Sequence, residues 1–274
     1  MTATEALELA CRMAGLREVP ADSGVLVPGE LGGRVVFAID VGVGELLLAR
    51  ELGATGVVAH HPPGGTPRLS WHKVLWRHAD LLEQYGVPRE PARAAAAELV
   101  AELSAGDHAA NYDHVPAAAR ALRLPLVGIH TPLDELGRRQ LAGAVSHLPA
   151  GSRVGDLVAR LSSLPELAVA ATEVQVRVGA ADNPAGHVAV FHGAGTNGGY
   201  PVAACAFRHG VDTVVYIHCS AAASRRLAAE FPDKNLVVTG HIAADSLGIN
   251  PFLAELAGRG IDMLPLDVVA GTST

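Results

Sequence analysis

The chain has 274 residues, 49% of them apolar and 18% charged, which is a globular composition with ample material for one large core or two smaller ones. A formal net charge of −7, with the 21 Lys and Arg residues scattered and no basic tail, disfavours sequence-independent binding to nucleic acid, whose phosphate backbone is a polyanion. Three cysteines without a C-x-x-C pair argue against a disulfide framework or zinc ribbon, and the chain has neither a signal-peptide pattern in MTATEALELACRMAGL nor an apolar run of about 18 residues, so a cytosolic protein without a membrane span is expected.

In chain order, residues 3–15 read as an amphipathic helix. RVVFAI (34–39) is a short β-rich run closed by Asp40, VGELLLARELGA (43–54) is helical, and TGVVA (55–59) is the next strand. That punctuation predicts a parallel pair joined by a crossover helix. Residues 71–123 are rich in Ala, Leu and Arg with helical periodicity, and predict a helical insertion off the sheet. PLVGI (125–129) returns to strand and 134–146 to helix. Over 152–187 the texture changes: Pro, Gly and short runs such as EVQVRV (173–178) replace long helices. A second domain is therefore expected to begin between about 148 and 165, dividing the chain into 1–150 and 151–274. It continues as strand 188–191, a glycine loop, helix 199–209, strand 213–217, helix 221–230, strand 235–238, helix 241–258 and strand 262–266. The expected fold class is α/β. No short repeat is present, and a distant duplication of the two α/β halves is left open.

Three histidine motifs share one context. GVVAHHPP sets His60 and His61 directly after an apolar strand, LPLVGIHTPLD does the same for His130 with Asp134 four residues on, and NLVVTGHIAAD for His241 with Asp245. Functional crevices of open α/β sheets lie beyond the carboxyl ends of the strands, so the three ends can converge on one cleft. Imidazole with carboxylate is a ligand set for Zn, Fe, Mn or similar divalent ions. On a helix, positions i and i+4 share a face, so His241 and Asp245 can aim at one place. His130 and Asp134 repeat the spacing, with Pro132 confining that segment to a turn or first helical turn. Four histidines and two aspartates are too many for one closed tetrahedral ion and suit two ions about 3.5–4 Å apart, a hydrolytic arrangement. The remaining histidines His72, His78, His108, His114, His147, His187 and His209 read as surface or packing residues.

VFHGAGTNGGYP (190–201), between a strand and a helix, suits either a tight turn or backbone contact with a phosphate or carboxylate, through Gly193, Gly195, Thr196, Asn197 and Gly198. It is neither a P-loop nor a dinucleotide fingerprint. His192 within it, and His218 and Cys219 in YIHCS (216–220), can line the same crevice; His218 or His192 is the candidate proton donor. Asp40 suits a carboxylate that orients a ligand histidine. No G-x-S-x-G is present, so a Ser–His–Asp hydrolase is a poor reading.

With AHHPPG (59–64), IHTPLD (129–134), FHGAGTNGG (191–199) and GHIAADSLGIN (240–250) assembled, nearly the whole chain resembles the Nif-three-like family of dinuclear metal proteins, often labelled GTP cyclohydrolase I type 2-like. The resemblance implicates His60, His61, His130, Asp134, His241 and Asp245 as ligands to two divalent ions, with Mg an alternative to Zn, Fe or Mn. It also implies two α/β lobes flanking a metal cleft and a ring-shaped hexamer. The function it implies is either a metal-dependent hydrolase of a small molecule, such as a nucleotide or cyclic amide, or a non-enzymatic regulatory protein. The chain departs from the family where Asp245 replaces the commoner Glu and Pro132 an Asn. DHAANYD (107–113) competes for the middle motif, but it is one residue too long and lacks a preceding strand.

Overall fold

The computed structural model describes residues 1–271. The chain forms two compact units: Met1–Val74, Glu102–Leu136 and Gly248–Val268 make the first, and Leu75–Ala101, Gly137–Leu247 and the segment beginning at Val269 make the second. Each unit is built around its own sheet. The first contains β1 (Gly24–Val27), β2 (Arg34–Ala38), β3 (Gly56–Ala59) and β4 (Leu126–Gly128), in the order β1-β4-β3-β2. The second contains β5 (Gln175–Val178), β6 (Val188–Val190), β7 (Thr213–Tyr216) and β8 (Asn235–Val238), in the order β5-β8-β7-β6. The last strand, β9 (Asp262–Pro265), returns to the first sheet and lies parallel to β2.

The expected β-α-β unit is present: β2 and β3 are parallel, and helix Val43–Glu51 crosses between them. The two sheets also repeat one topology. In each, the first strand is antiparallel to the fourth, followed by the third and second in parallel. Even the irregularity recurs, with the register slipping between Val25 and Val27 against β4 and between Val176 and Val178 against β8. The duplication left open by the sequence is thus present in the topology.

Strand residues alternate between faces, and both faces of each sheet are covered, as parallel sheets require. In the first unit Val35, Phe37, Val58 and Val127 pack in one apolar cluster, while Val36, Ala38, Val57, Ala59 and Leu126 pack in another. In the second, Ala189, Phe191, Val214 and Tyr216 stand against Val190, Val215, Ile217 and Val237.

The helical insertion supplies part of this cover. Its early helices place Leu81, Leu82, Ala92 and Ala96 in the cluster with Phe191 and Tyr216, and the Tyr85 hydroxyl accepts the Val190 N–H at 3.0 Å. Its last helix, His114–Leu122, packs Val115 and Ala119 in the cluster with Val36 and Val57. The change of texture after residue 152 conceals a further helix, Val154–Ser162, which buries Val154, Leu157 and Leu161 at helical spacing. β1 was not anticipated; four half-buried residues carry no period long enough to read. Among the described residues no helix is long and apolar enough to cross a membrane. Cys11, Cys205 and Cys219 are free thiols.

Candidate metal centre

The first unit gathers His60, His61, His130 and Asp134 at the carboxyl ends of β3 and β4. The ladder extends past β3, with the His60 and His61 N–H groups donating to Ala38 and Ile39 carbonyls, so the pair is held on rigid backbone. One ring nitrogen from each of His60, His61 and His130 lies within 4.8 Å of the other two. Each ring is fixed through its Nδ1. His60 donates Nδ1–H to the Ile129 carbonyl at 3.1 Å, His61 to Asp40 at 2.8 Å, and His130 to Asp22 at 2.7 Å. A carbonyl oxygen only accepts, so this bond sets the proton on His60 Nδ1 and leaves Nε2 as the atom that could bind an ion.

Asp134 faces two of these nitrogens: Oδ1 lies 3.2 Å from His60 Nε2 and Oδ2 lies 3.6 Å from His130 Nε2. A carboxylate oxygen facing an imidazole nitrogen is favoured by a proton or a cation between them. The three imidazoles, each ring oriented by a hydrogen-bonded partner, form a donor group that could hold a divalent ion. His130 is buried, which alone disfavours its charged form; Asp134 and Asp22 outweigh that and raise its pKa above the ordinary histidine value.

Two layers of support surround these rings. Asp22 is fully buried and also accepts the Thr131 hydroxyl at 2.6 Å, while Ser23 donates to Asp22 and accepts the His130 N–H. Asp267 accepts the Ile39 and Asp40 N–H groups, pinning the end of β2 from which Asp40 reaches His61. The Trp71 ring packs edge-on against His130 with centroids 5.1 Å apart. Beside it, buried Asp107 accepts the His72 N–H and lies 2.9 Å from His72 Nδ1.

The second unit gathers His192, His218, His241 and Asp245. His241 opens helix His241–Gly258, so the i, i+4 spacing is realised and His241 Nε2 lies 3.2 Å from Asp245 Oδ2. Asp245 Oδ1 is 3.8 Å from His192 Nε2, and the His218 and His241 ring centroids are 4.7 Å apart. Asp245 and His192 are buried, whereas 43% of the His241 side chain is exposed. Gly240 makes the turn from β8 into the helix at φ +99°, a conformation open to glycine.

The glycine loop is tied down by its neighbours. Asn197 Oδ1 accepts the Ile217 N–H at 2.7 Å, Thr196 accepts the Gly198 N–H, and the Gly193 carbonyl accepts from Arg77 Nε at 2.7 Å. His78, read as a surface or packing residue, is fully buried with Nε2 3.3 Å from Thr196 Oγ1. Burial holds its pKa down at about 3, with Arg77 adding to the effect and Thr196 opposing it.

No family model matches the chain, and no curated protein matches it. Among solved structures it is similar to a NIF3 superfamily protein from Sphaerobacter thermophilus, with 46% identity, 97% of this chain and 98% of that one covered, and a TM-score of 0.94. This chain belongs to the NIF3 superfamily. The fold is shared at 12% identity by reduced HcgD from Methanocaldococcus jannaschii (TM-score 0.60, 97% and 98% covered) and by a Bacillus cereus protein related to NIF3 (TM-score 0.51, 100% and 98% covered).

In this NIF3 superfamily chain the residues of the competing DHAANYD segment have other partners: Asp107 is engaged by Arg68 and His72, His108 is exposed, and Asp113 pairs with Arg120 on the surface. Pro132 sits in the first turn of helix Thr131–Ser146, where its missing N–H costs nothing. Asp40 meets His61 as its place at the end of β2 suggested. Asp22 and Asp267 escaped the sequence reading: neither belongs to a motif, and the residues they hold are more than 100 positions away.

Proposed function

We propose that this NIF3 superfamily protein holds two divalent ions, of Zn, Fe or Mn, and acts as a metal-dependent hydrolase on a small anionic molecule. The observation that carries this reading is the triplet of imidazoles fixed through Nδ1, two of which also face Asp134, an acceptor arrangement suited to a cation. Imidazole-rich ligation favours these ions over Mg. His60, His61, His130 and Asp134 are the ligands in the first unit, and His241 and Asp245 those in the second. When bound, such ions lower the pKa of water and polarise an electrophilic carbon or phosphorus. His61 and His241 remain partly exposed, which supports a centre with an accessible position rather than a closed structural one. His218 moves the proton to the leaving group, and the loop 193–198 orients the anionic part of the substrate. By family resemblance the protein works as a cytosolic homo-oligomer, a hexamer.

One observation favours the alternative of a non-enzymatic metal-binding regulator: the Gly198 N–H, a donor that an anion would need, is already given to Thr196 Oγ1. Metal-loaded protein screened against nucleotides, phosphoesters and cyclic amides, with Asp245→Ala as the blank, separates the two. Turnover confined to the wild type is expected. Turnover equal in Asp245→Ala rejects the assigned centre, and inactivity on all three classes rejects the hydrolase in favour of the regulator.

A further inference from the structure

The first two residues of helix Arg77–Gln84 hold the glycine loop at two points, Arg77 Nε donating to the Gly193 carbonyl at 2.7 Å and His78 Nε2 standing 3.3 Å from Thr196 Oγ1. Which of His78 and Thr196 supplies the proton of the second contact decides what the loop can offer a ligand. His78 is fully buried, and among the described residues its Nδ1 has no hydrogen-bond partner. A buried N–H left without an acceptor is rare, so the ring proton sits on Nε2, where Thr196 receives it. The Thr196 main chain acts in the same sense: it accepts from the ring, opposing the burial that holds the ring's pKa down at about 3. At that pKa the imidazole is neutral near pH 7 and carries a single ring proton.

Thr196 Oγ1 also accepts the Gly198 N–H at 3.2 Å. A hydroxyl oxygen has two lone pairs, and His78 and Gly198 occupy both, so the Thr196 O–H can only donate. Within 193–198 Thr196 is the one residue that is not buried, so this hydroxyl is the side-chain polar group that the loop turns toward solvent. Two donors feeding one hydroxyl polarise it and strengthen the bond it gives. The Gly198 N–H, withdrawn from direct contact with an anion, thus acts on one through Thr196.

We propose that His78 is a positioning residue that makes the Thr196 hydroxyl an obligate hydrogen-bond donor, through which the loop recognises the oxyanion of its ligand, a phosphate or a carboxylate. Ammonium and N–H groups, which only donate, find no acceptor in this hydroxyl. The role rests on the reading of loop 193–198 as the part that orients an anionic group, and it gives the helical insertion, which carries His78, a part in ligand choice.

The test uses full-length, zinc-loaded protein. Nitrogen NMR of ring-labelled histidine, with the His78 signals assigned by their loss in His78→Gln, is expected to show the neutral Nε2–H tautomer in wild type at pH 7; the Nδ1–H tautomer overturns the role. Binding is measured by calorimetry with inorganic phosphate in one arm and acetate in the other, and the arm that responds names the oxyanion. Thr196→Val and His78→Leu should each bind that anion at least about 5-fold more weakly than wild type, while Thr196→Ser and His78→Gln, which keep the hydroxyl and a side-chain N–H, stay within about 2-fold. Unchanged affinity in His78→Leu beside a weakened Thr196→Val, or a loss in His78→Gln as large as in His78→Leu, overturns the role of His78 and leaves the loop reading intact. Thr196→Val equal to wild type in both arms, or wild type that binds neither anion, overturns the loop reading and the role together.

Discussion

Asp22 has no exposed surface, and its carboxylate takes the His130 ring N–H, the Thr131 hydroxyl and the Ser23 hydroxyl. Removing it leaves buried donors without an acceptor and frees the ring it aims. Asp22→Ala is expected to cost about 2–3 kcal/mol of stability and 10- to 100-fold in metal affinity, read by urea denaturation and metal titration; unchanged affinity would remove its orienting role. His78 makes a different kind of prediction. Its folded pKa of about 3 lies below the ordinary 6.5, so the unfolded chain binds the proton that the native state refuses. The associated stability is present above pH 6.5 and is lost as pH falls toward 3, with roughly 2 kcal/mol gone by pH 5. In His78→Gln the drop in urea midpoint between pH 7 and pH 5 should shrink correspondingly. An acid limb as steep as wild type would mean that His78 titrates normally.

At the scale of elements, strand ends and the turns that leave them decide where the site residues go. A Cβ at Gly240 would lie 2.4 Å from Thr172 Oγ1, and the backbone there is at φ +99°. Gly240→Ala should therefore destabilise by about 1–3 kcal/mol, and adding Thr172→Ala should recover only the contact part, because the backbone strain persists. Full recovery in the double variant, measured by chemical denaturation, would show that sterics alone operate. The helical insertion belongs to this scale too. Its periodicity was legible from Ala and Leu spacing, but its role was not: Tyr85, Arg77 and His78 grip β6 and the glycine loop more than 100 residues away.

For the whole molecule, a ligand that binds only the folded state stabilises it by mass action. Free metal at about 100-fold its Kd adds roughly 2.7 kcal/mol per site, so chelation should lower the thermal midpoint by about 5–10 °C for each ion removed. Scans are best resolved into separate transitions, since the chain forms two units. A midpoint indifferent to chelator and to added Co(II) or Zn(II) would contradict a metal-bearing native state. Unit membership was the least legible feature of all. β9 joins the first sheet beside β2, and the hydrogen bonds from Ile39 and Asp40 to Asp267 span more than 220 residues, leaving no local pattern to read.

What the sequence by itself determined was local. Apolar runs set strands, 3.6-residue periodicity set helices, and His-x-x-x-Asp at two helix starts put each pair on one face, because these depend on neighbours a few residues apart. The tertiary structure decided the strand order, the repeated bulge, the Asp22 and Asp267 supports and the approach of His192 to Asp245. Those depend on which strand lies beside which, and backbone pairing between distant segments leaves no trace in residue spacing.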